Sequence, residues 1–228
     1  MNILALETSM GACSAALLRT TGGACSLHAC QDEMQRGHAE ALMPMVAEVL
    51  AEAGVPAGDL DVIAATVGPG SFTGVRIAIA AARGLSLVTQ AKIYGTDSLS
   101  VMARAAPVEA EPNGPFAVAV DARRGMVYLG LYDKTGRKLD GPLLVAPDDA
   151  VRLLPSTLRL AVGSGAPLLA DAAAAQGLTV EPVLTALQPS AVALAEIALE
   201  SGETIDIFRP LYLRPPDAKP QVQAVGRR

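Results

Sequence analysis

Thr66-Val-Gly-Pro-Gly-Ser-Phe-Thr-Gly-Val-Arg76 is the stretch whose reading decides the fold. Ahead of it, Leu60 to Val67 is apolar and β-branched, the composition of a buried strand. Gly68-Pro69-Gly70 stops that strand: Pro69 presets φ at position i+1 of a turn, and Gly70 accepts the positive φ that a type II turn needs next. Ser71 or Thr73 then caps a helix by accepting a bond from an orphan backbone N–H. The helix is predicted to run to about Thr89, with Gly74, Ile77, Ala78, Ala81, Gly84, Leu85 and Val88 on one face and Val75, Ile79 and Ala82 widening it. Only Arg76 and Arg83, seven apart on one stripe, suit water or a polar partner. Glycines and hydroxyls before a helix also invite an anion. A nucleotide P-loop, however, places Gly-Lys-Ser/Thr where this chain has Gly74-Val75-Arg76, so a plain strand–turn–helix is preferred.

The remaining composition narrows the function classes. The 228 residues allow one large or two small domains, with a core built from alanine and branched aliphatics because aromatics are 3% and tryptophan is absent. A formal charge of −5 argues against gripping nucleic acid unaided, though it leaves room for local basic patches. Cys13, Cys25 and Cys30, odd in number and without Cys-x-x-Cys spacing, read as reduced thiols of a cytoplasmic protein. Glu7 interrupts the N-terminal apolar run, and Arg76 and Arg83 break the longest one, so neither a signal peptide nor a membrane span is expected.

In chain order, Asn2–Leu6, Ala12–Arg19 and Ala24–Ala29 form a three-stranded meander with short turns. Glu7 in its first turn reads as a solvated carboxylate. A helix over about Ala39–Ala53 follows, with Leu42, Met45, Val46 and Val49 on its apolar face, Met43 and Leu50 widening it, and Pro44 near its first turn. His28 and His38 are the only histidines, and a metal partner for His38 four residues on is Leu42, so both are expected to be structural or exposed. Lys92–Gly95 is a short strand, Asp97 or a neighbour caps a helix to about Ala105, and 107–115 is the expected linker. Beyond it, Phe116–Val120 and Met126–Tyr132 repeat the opening pattern, with Asp121 standing where Glu7 stood and pairing with Arg123 or Arg124. Pro147–Leu154 is a helix, Leu158–Val162 a strand ending in Gly163-Ser164-Gly165, and Pro189–Ser201 an alanine-rich helix. Residues 215–228 lack core-forming residues, end in Arg227-Arg228, and read as a mobile tail with a minor chance of touching RNA.

Gly-Pro-Gly-Ser-Phe-Thr-Gly-Val-Arg resembles the signature of the TsaB family, and the resemblance extends to Asp121-Ala-Arg with Gly125 and Val127-Tyr128, and to the closing Tyr212-Leu-Arg214. It implies an α/β, actin-like fold of two ribonuclease-H-like halves, here 1–106 and 116–214. It also implies a non-catalytic partner of TsaD, acting with the ATPase TsaE to form N6-threonylcarbamoyladenosine at position 37 of tRNAs reading codons that begin with A. Glu7-Thr8-Ser9 is similar to the Glu-Thr-Ser of TsaD, but TsaD continues with two acidic residues where this chain has Gly11 and Ala12, and it carries a two-histidine motif missing here. No cofactor or metal is therefore expected. A nucleotide site survives, if at all, as a vestige at Thr8, Ser9, Gly163 and Gly165. The expected surface for TsaD, or for a second copy, is Leu42, Met43, Met45, Val46, Val49 and Leu50 with Gly74, Val75, Ala78, Ile79 and Ala82. The alternative for these small residues is packing against their own sheet. The rival functions are a glycoprotease-like hydrolase and a residual ATPase. Two separated histidines support neither a metallopeptidase nor a serine enzyme.

Overall fold

The computed structural model describes residues 1–201 and 208–214, so the expected tail, 215–228, lies outside the described residues. The first half opens with β1 (Asn2–Glu7), β2 (Ala12–Thr21) and β3 (Ala24–Glu33) as an antiparallel meander. After α1 (His38–Ala53), β4 (Val62–Thr66) pairs parallel to β1, and after α2 (Phe72–Thr89), β5 (Lys92–Thr96) pairs parallel to β4. α3 (Ser98–Ala110) ends this half. The second half repeats the plan with β6 (Phe116–Asp121), β7 (Val127–Tyr132), β8 (Lys138–Val145), α4 (Pro147–Leu153), β9 (Leu160–Val162), α5 (Ala166–Ala175), β10 (Glu181–Val183) and α6 (Ala191–Ser201). The sheet orders, β3-β2-β1-β4-β5 and β10-β9-β6-β7-β8, are the same order read from opposite edges. Among the described residues, the duplication read from two echoed meanders thus holds for each strand and α-helix, with only the short 3-10 turn at Ala57–Asp59 unmatched.

The two halves exchange their last helices. α3 packs on β6 and β7, burying Leu99, Met102, Ala103 and Ala106 beside Phe116 and Tyr132. α6 lies on β1 and β2, with Ala191, Leu194, Ala195 and Ala198 against Ile3, Ala5 and Ala16. Because each sheet is covered on one face by a helix from the other half, neither half is self-sufficient. The exchange is pinned by ions: Arg104 of α3 donates to Glu196 (3.0 Å) and Glu200 (2.6 Å) of α6. Asp97, 5% exposed at the α3 N-cap, accepts from Ser100 N and from Lys138 Nζ of β8.

Several boundaries move for identifiable reasons. α3 continues through Pro107 to Ala110, because Ala103 and Ala106 are seated in the other half's core and hold the helix past the proline. That leaves 111–115 between α3 and β6, shorter than the expected linker. β8 has no counterpart among the expected strands; it passes through Asp140-Gly141-Pro142 as an edge strand, with register shifts near Leu129 and Leu131. The glycine-rich turn after β9 is a strand–helix corner into α5, and β10 has no counterpart among the expected strands. The turn before α2 is not type II, since the Gly68–Pro69 peptide is cis and the positive φ belongs to Gly68 (99°). Ser71, one of the two candidates, is the N-cap and accepts from Gly74 N at 3.3 Å.

Candidate functional site: the cleft between the halves

The strands β1 and β6 end in equivalent turns, and each end carries a carboxylate that accepts a bond from the N–H two residues on. Glu7 Oε1 accepts from Ser9 N at 2.5 Å, and Asp121 Oδ1 from Arg123 N at 2.7 Å. Arg123 Nη1 also meets Asp121 Oδ2 at 3.3 Å, as expected from sequence. Glu7 departs from expectation. It is fully buried, Oε2 has no hydrogen-bond partner, and burial pushes its pKa up against the opposing bond from Ser9 N. The reason is the corner before α2, which sits directly on this turn. Ser71 N donates to Ser9 O (2.7 Å), and Thr8 Oγ1 donates to Gly74 O (2.7 Å). A Cβ at Gly70 would stand 2.3 Å from Ser9 O, and one at Gly74 2.1 Å from Thr8 O. The glycines of the signature let α2 close over the first turn.

A cleft of about 760 Å³ remains between the halves. Ser9, Gly11, Ser71 and Phe72 line it from one side, Asp121, Arg123, Tyr128 and Ser164 from the other, and Leu211–Arg214 along its mouth. The four residues of the expected nucleotide vestige do not converge on it. Ser9 lines the cleft, but Thr8 is buried against α2, and Gly163 and Gly165 are packed on Ala119 O and Asp121 N, leaving only Ser164 between them facing in. Gly11, where an acid would sit in TsaD, donates its N–H to Gln188 Oε1 at 2.9 Å. Among the described residues, no three His, Cys, Asp or Glu side chains gather as a metal site. His38 Nε2 lies 3.0 Å from Met10 O and His28 3.8 Å from Glu52. The three cysteines are free, and burial raises the Cys13 thiol to about 11.

The expected partner surface is corrected by burial. Leu42, Met45, Val46 and Val49 of α1 and Gly74, Val75, Ala78, Ile79 and Ala82 of α2 are all buried, forming with Leu4, Leu6, Ala15 and Leu17 the core under their own sheet. The alternative, packing on the parent sheet, describes these residues. Of the proposed set only Met43, 45% exposed, and half-buried Leu50 remain available. α1 and α2 do lie side by side. Of the face that the sequence groups together, Gly74 and Ala78 are buried and Ile77, Ala81 and Leu85 half-buried, while Gly84 and Val88 (84%) are exposed, as is Leu87 (78%) beyond that face. An apolar arc this wide carries no phase, so residues 74, 77, 78 and 81 and residues 75, 78, 79 and 82 are equally good helical faces. By length and hydropathy (1.3) α2 is also apolar enough to cross a membrane, but its inner face is seated on the sheet.

The polar stripe of α2 has a partner that sequence reasoning missed. Arg83 donates to Phe208 O, and Arg76 Nε donates to Tyr212 Oη at 2.7 Å. The guanidinium of Arg76 also lies 3.7 Å over the Phe72 ring. Residues 208–214 thus form a strap: Phe208 enters the first core, Leu211 N donates to Val67 O (2.7 Å), and Arg214 reaches Arg123 O (3.3 Å) on the other half. Seven-residue spacing of two arginines on an otherwise apolar helix was the signal, though nothing in it named the chain's own C-terminal segment.

The profile of the family described as TsaD, tRNA N6-adenosine threonylcarbamoyltransferase, matches residues 32–219. The tRNA threonylcarbamoyladenosine biosynthesis protein TsaB of Escherichia coli K12 is 38% identical over 136 residues, 59% of this chain and 56% of that protein. Its counterpart in Haemophilus influenzae is 31% identical over 176 residues, 72% of each chain. In the E. coli protein and the Buchnera aphidicola (Schizaphis graminum) relative, at 60%, the match spans less than two thirds of their length. A structure described as YeaZ from Pseudomonas aeruginosa has a TM-score of 0.77 at 32% identity, covering 93% of this chain and 99% of that one. The repeated sheets, the α2 corner closed over the first turn and these relatives agree: the chain belongs to the TsaD-like family, and within it to the TsaB proteins.

Proposed function

We propose that this chain is a non-catalytic subunit that works with TsaD and TsaE in forming N6-threonylcarbamoyladenosine at position 37 of tRNAs reading codons that begin with A, in the cytoplasm. The relatives' names support the pathway. The observation that carries the subunit role is the outward side of α2, where Leu87 and Val88 stand more than three quarters exposed. An apolar surface of that kind is costly to leave in water and is what a helical partner covers. TsaD takes that face, and a second copy of this chain takes it when TsaD is absent. The first turn supports a role without catalysis, since Glu7 is sealed under α2 and Gly11 presents only its backbone to Gln188. The test is replacement of the host's own TsaB gene by this chain, with the modified nucleoside in bulk tRNA measured by mass spectrometry. Restored modification is expected. Modification that stays absent while the chain is expressed and folded contradicts the reading.

A further inference from the structure

The chain carries a formal charge of −5, yet one ridge of it is basic. The contacts of the strap order the arginines along it: Arg83 at Phe208, exposed Arg209, Arg76 at Tyr212, Arg214, and then Arg123, whose side chain is 84% exposed. The one carboxylate lining the adjoining cleft is Asp121, and Arg123 already pairs with it. Between the cations stand Phe72 and Tyr212, stacked at 5.5 Å with 26° between their planes, and 54% and 48% exposed. The chain has only three phenylalanines and four tyrosines, so two of its seven aromatic residues stand half in water on this ridge. Fastening the strap explains Arg76 and Arg83. It does not explain the outward Arg209 and Arg123 or the half-exposed rings.

Cations spaced along a ridge, with an aromatic platform between them and a cleft alongside, match the chemistry of a single nucleic-acid strand. We propose that the strap and the β6–β7 turn form a track for single-stranded RNA. The phosphates follow Arg209, Arg214 and Arg123, and one base stacks on the Phe72–Tyr212 pair at the mouth of the cleft. The proposal rests on the reading that the chain serves tRNA modification, and it assigns this subunit part of the grip on the substrate. An acidic protein with one such ridge binds RNA weakly alone and contributes when a partner adds contacts.

The test is fluorescence anisotropy with a labelled twelve-nucleotide RNA and with an unmodified anticodon stem-loop, at several salt concentrations, on the full chain and on its complex with TsaD. Arg123→Glu/Arg209→Glu is expected to weaken binding at least tenfold and to lower the slope of log affinity against log salt by about 1.4, two single-strand phosphate contacts. Tyr212→Leu, which removes the stacked ring while the strap stays bonded through Leu211 N, Arg83 and Arg214, is expected to weaken it at least fivefold, the lower end of what one stacked base contributes. Arg152→Glu/Arg159→Glu makes the same charge change at residues bonded to Asp149 and to the Ser156 and Leu158 carbonyls, and is expected to change affinity less than twofold. Equal loss in both double variants, no loss in either, or displacement of RNA by polyglutamate at equal charge overturns the track. If TsaD still co-purifies with a ridge variant that binds RNA like wild type, only this inference fails. If wild-type chain never co-purifies with TsaD, the subunit reading fails, and the titration on the free chain still decides the track.

Discussion

The turns that end β1 and β6 hold the same place in two copies of one plan, but one is sealed and the other is open. Glu7 is entirely buried, whereas Asp121 lines the cleft and meets an exposed arginine. Both turns are approached by a strand–helix corner through glycine, at Gly70 and Gly165. The difference lies in the helix behind the corner. Gly74 lets α2 descend onto Thr8, where α5 has no equivalent contact. Duplicated halves therefore diverge through single small residues, and the half that lost its open turn is the one whose helices α1 and α2 present an outward apolar surface.

Propping α2 off the first turn should have the largest effect on stability. Gly74→Ala places a Cβ 2.1 Å from Thr8 O, against backbone that cannot yield as a flexible side chain would. It is expected to cost about 3 kcal/mol, at the high end of overpacking, lowering Tm by roughly 6–12 °C for a chain of this size. Gly165→Ala, whose Cβ would be 2.9 Å from Asp121 N, is expected to cost about half as much. Equal unfolding midpoints for the two in urea would erase the distinction between the corners.

A smaller effect concerns the carboxylates. Burial raises the folded pKa of Glu7 above its ordinary 4.5, so the native state holds its proton more tightly than the unfolded chain does. The associated stability is complete below that value and is lost as pH rises through the folded pKa. Glu7→Gln keeps an acceptor for Ser9 N and removes this loss. It is expected to raise Tm at pH 7.5, with the gain vanishing near pH 4. A variant that melts below wild type at pH 7.5 would mean that the buried charge is an asset. Asp121→Asn, in the open turn, is expected to change stability by less than about 0.5 kcal/mol at either pH.

Much of this plan was legible because it is written in local chemistry. The meander echo, the Ser71 cap and Asp121 beside Arg123 follow from turn residues and short spacings. The environment of Glu7 was not legible, because it depends on Gly74, which lies far along the chain and looks like any small helical residue. The face of α2 was misjudged for the same reason: with small or aliphatic residues almost all round, only the sheet decides which of them turn inward. The exchange of α3 and α6 between the halves left no mark in either helix's own periodicity, and the strap appeared only as the polar partner that Arg76 and Arg83 required.

The proposed partner surface is the outward side of α2. Leu87 and Val88 touch little of their own chain, so Leu87→Arg/Val88→Arg is expected to leave stability within about 0.5 kcal/mol of wild type. The decisive measurement is the dissociation constant of the TsaD complex, by isothermal titration, for that variant against wild type at matched Tm. Affinity lowered at least a hundredfold, with modified tRNA falling in parallel in a complemented host, is the predicted result. A folded variant that binds TsaD as tightly as wild type would contradict it.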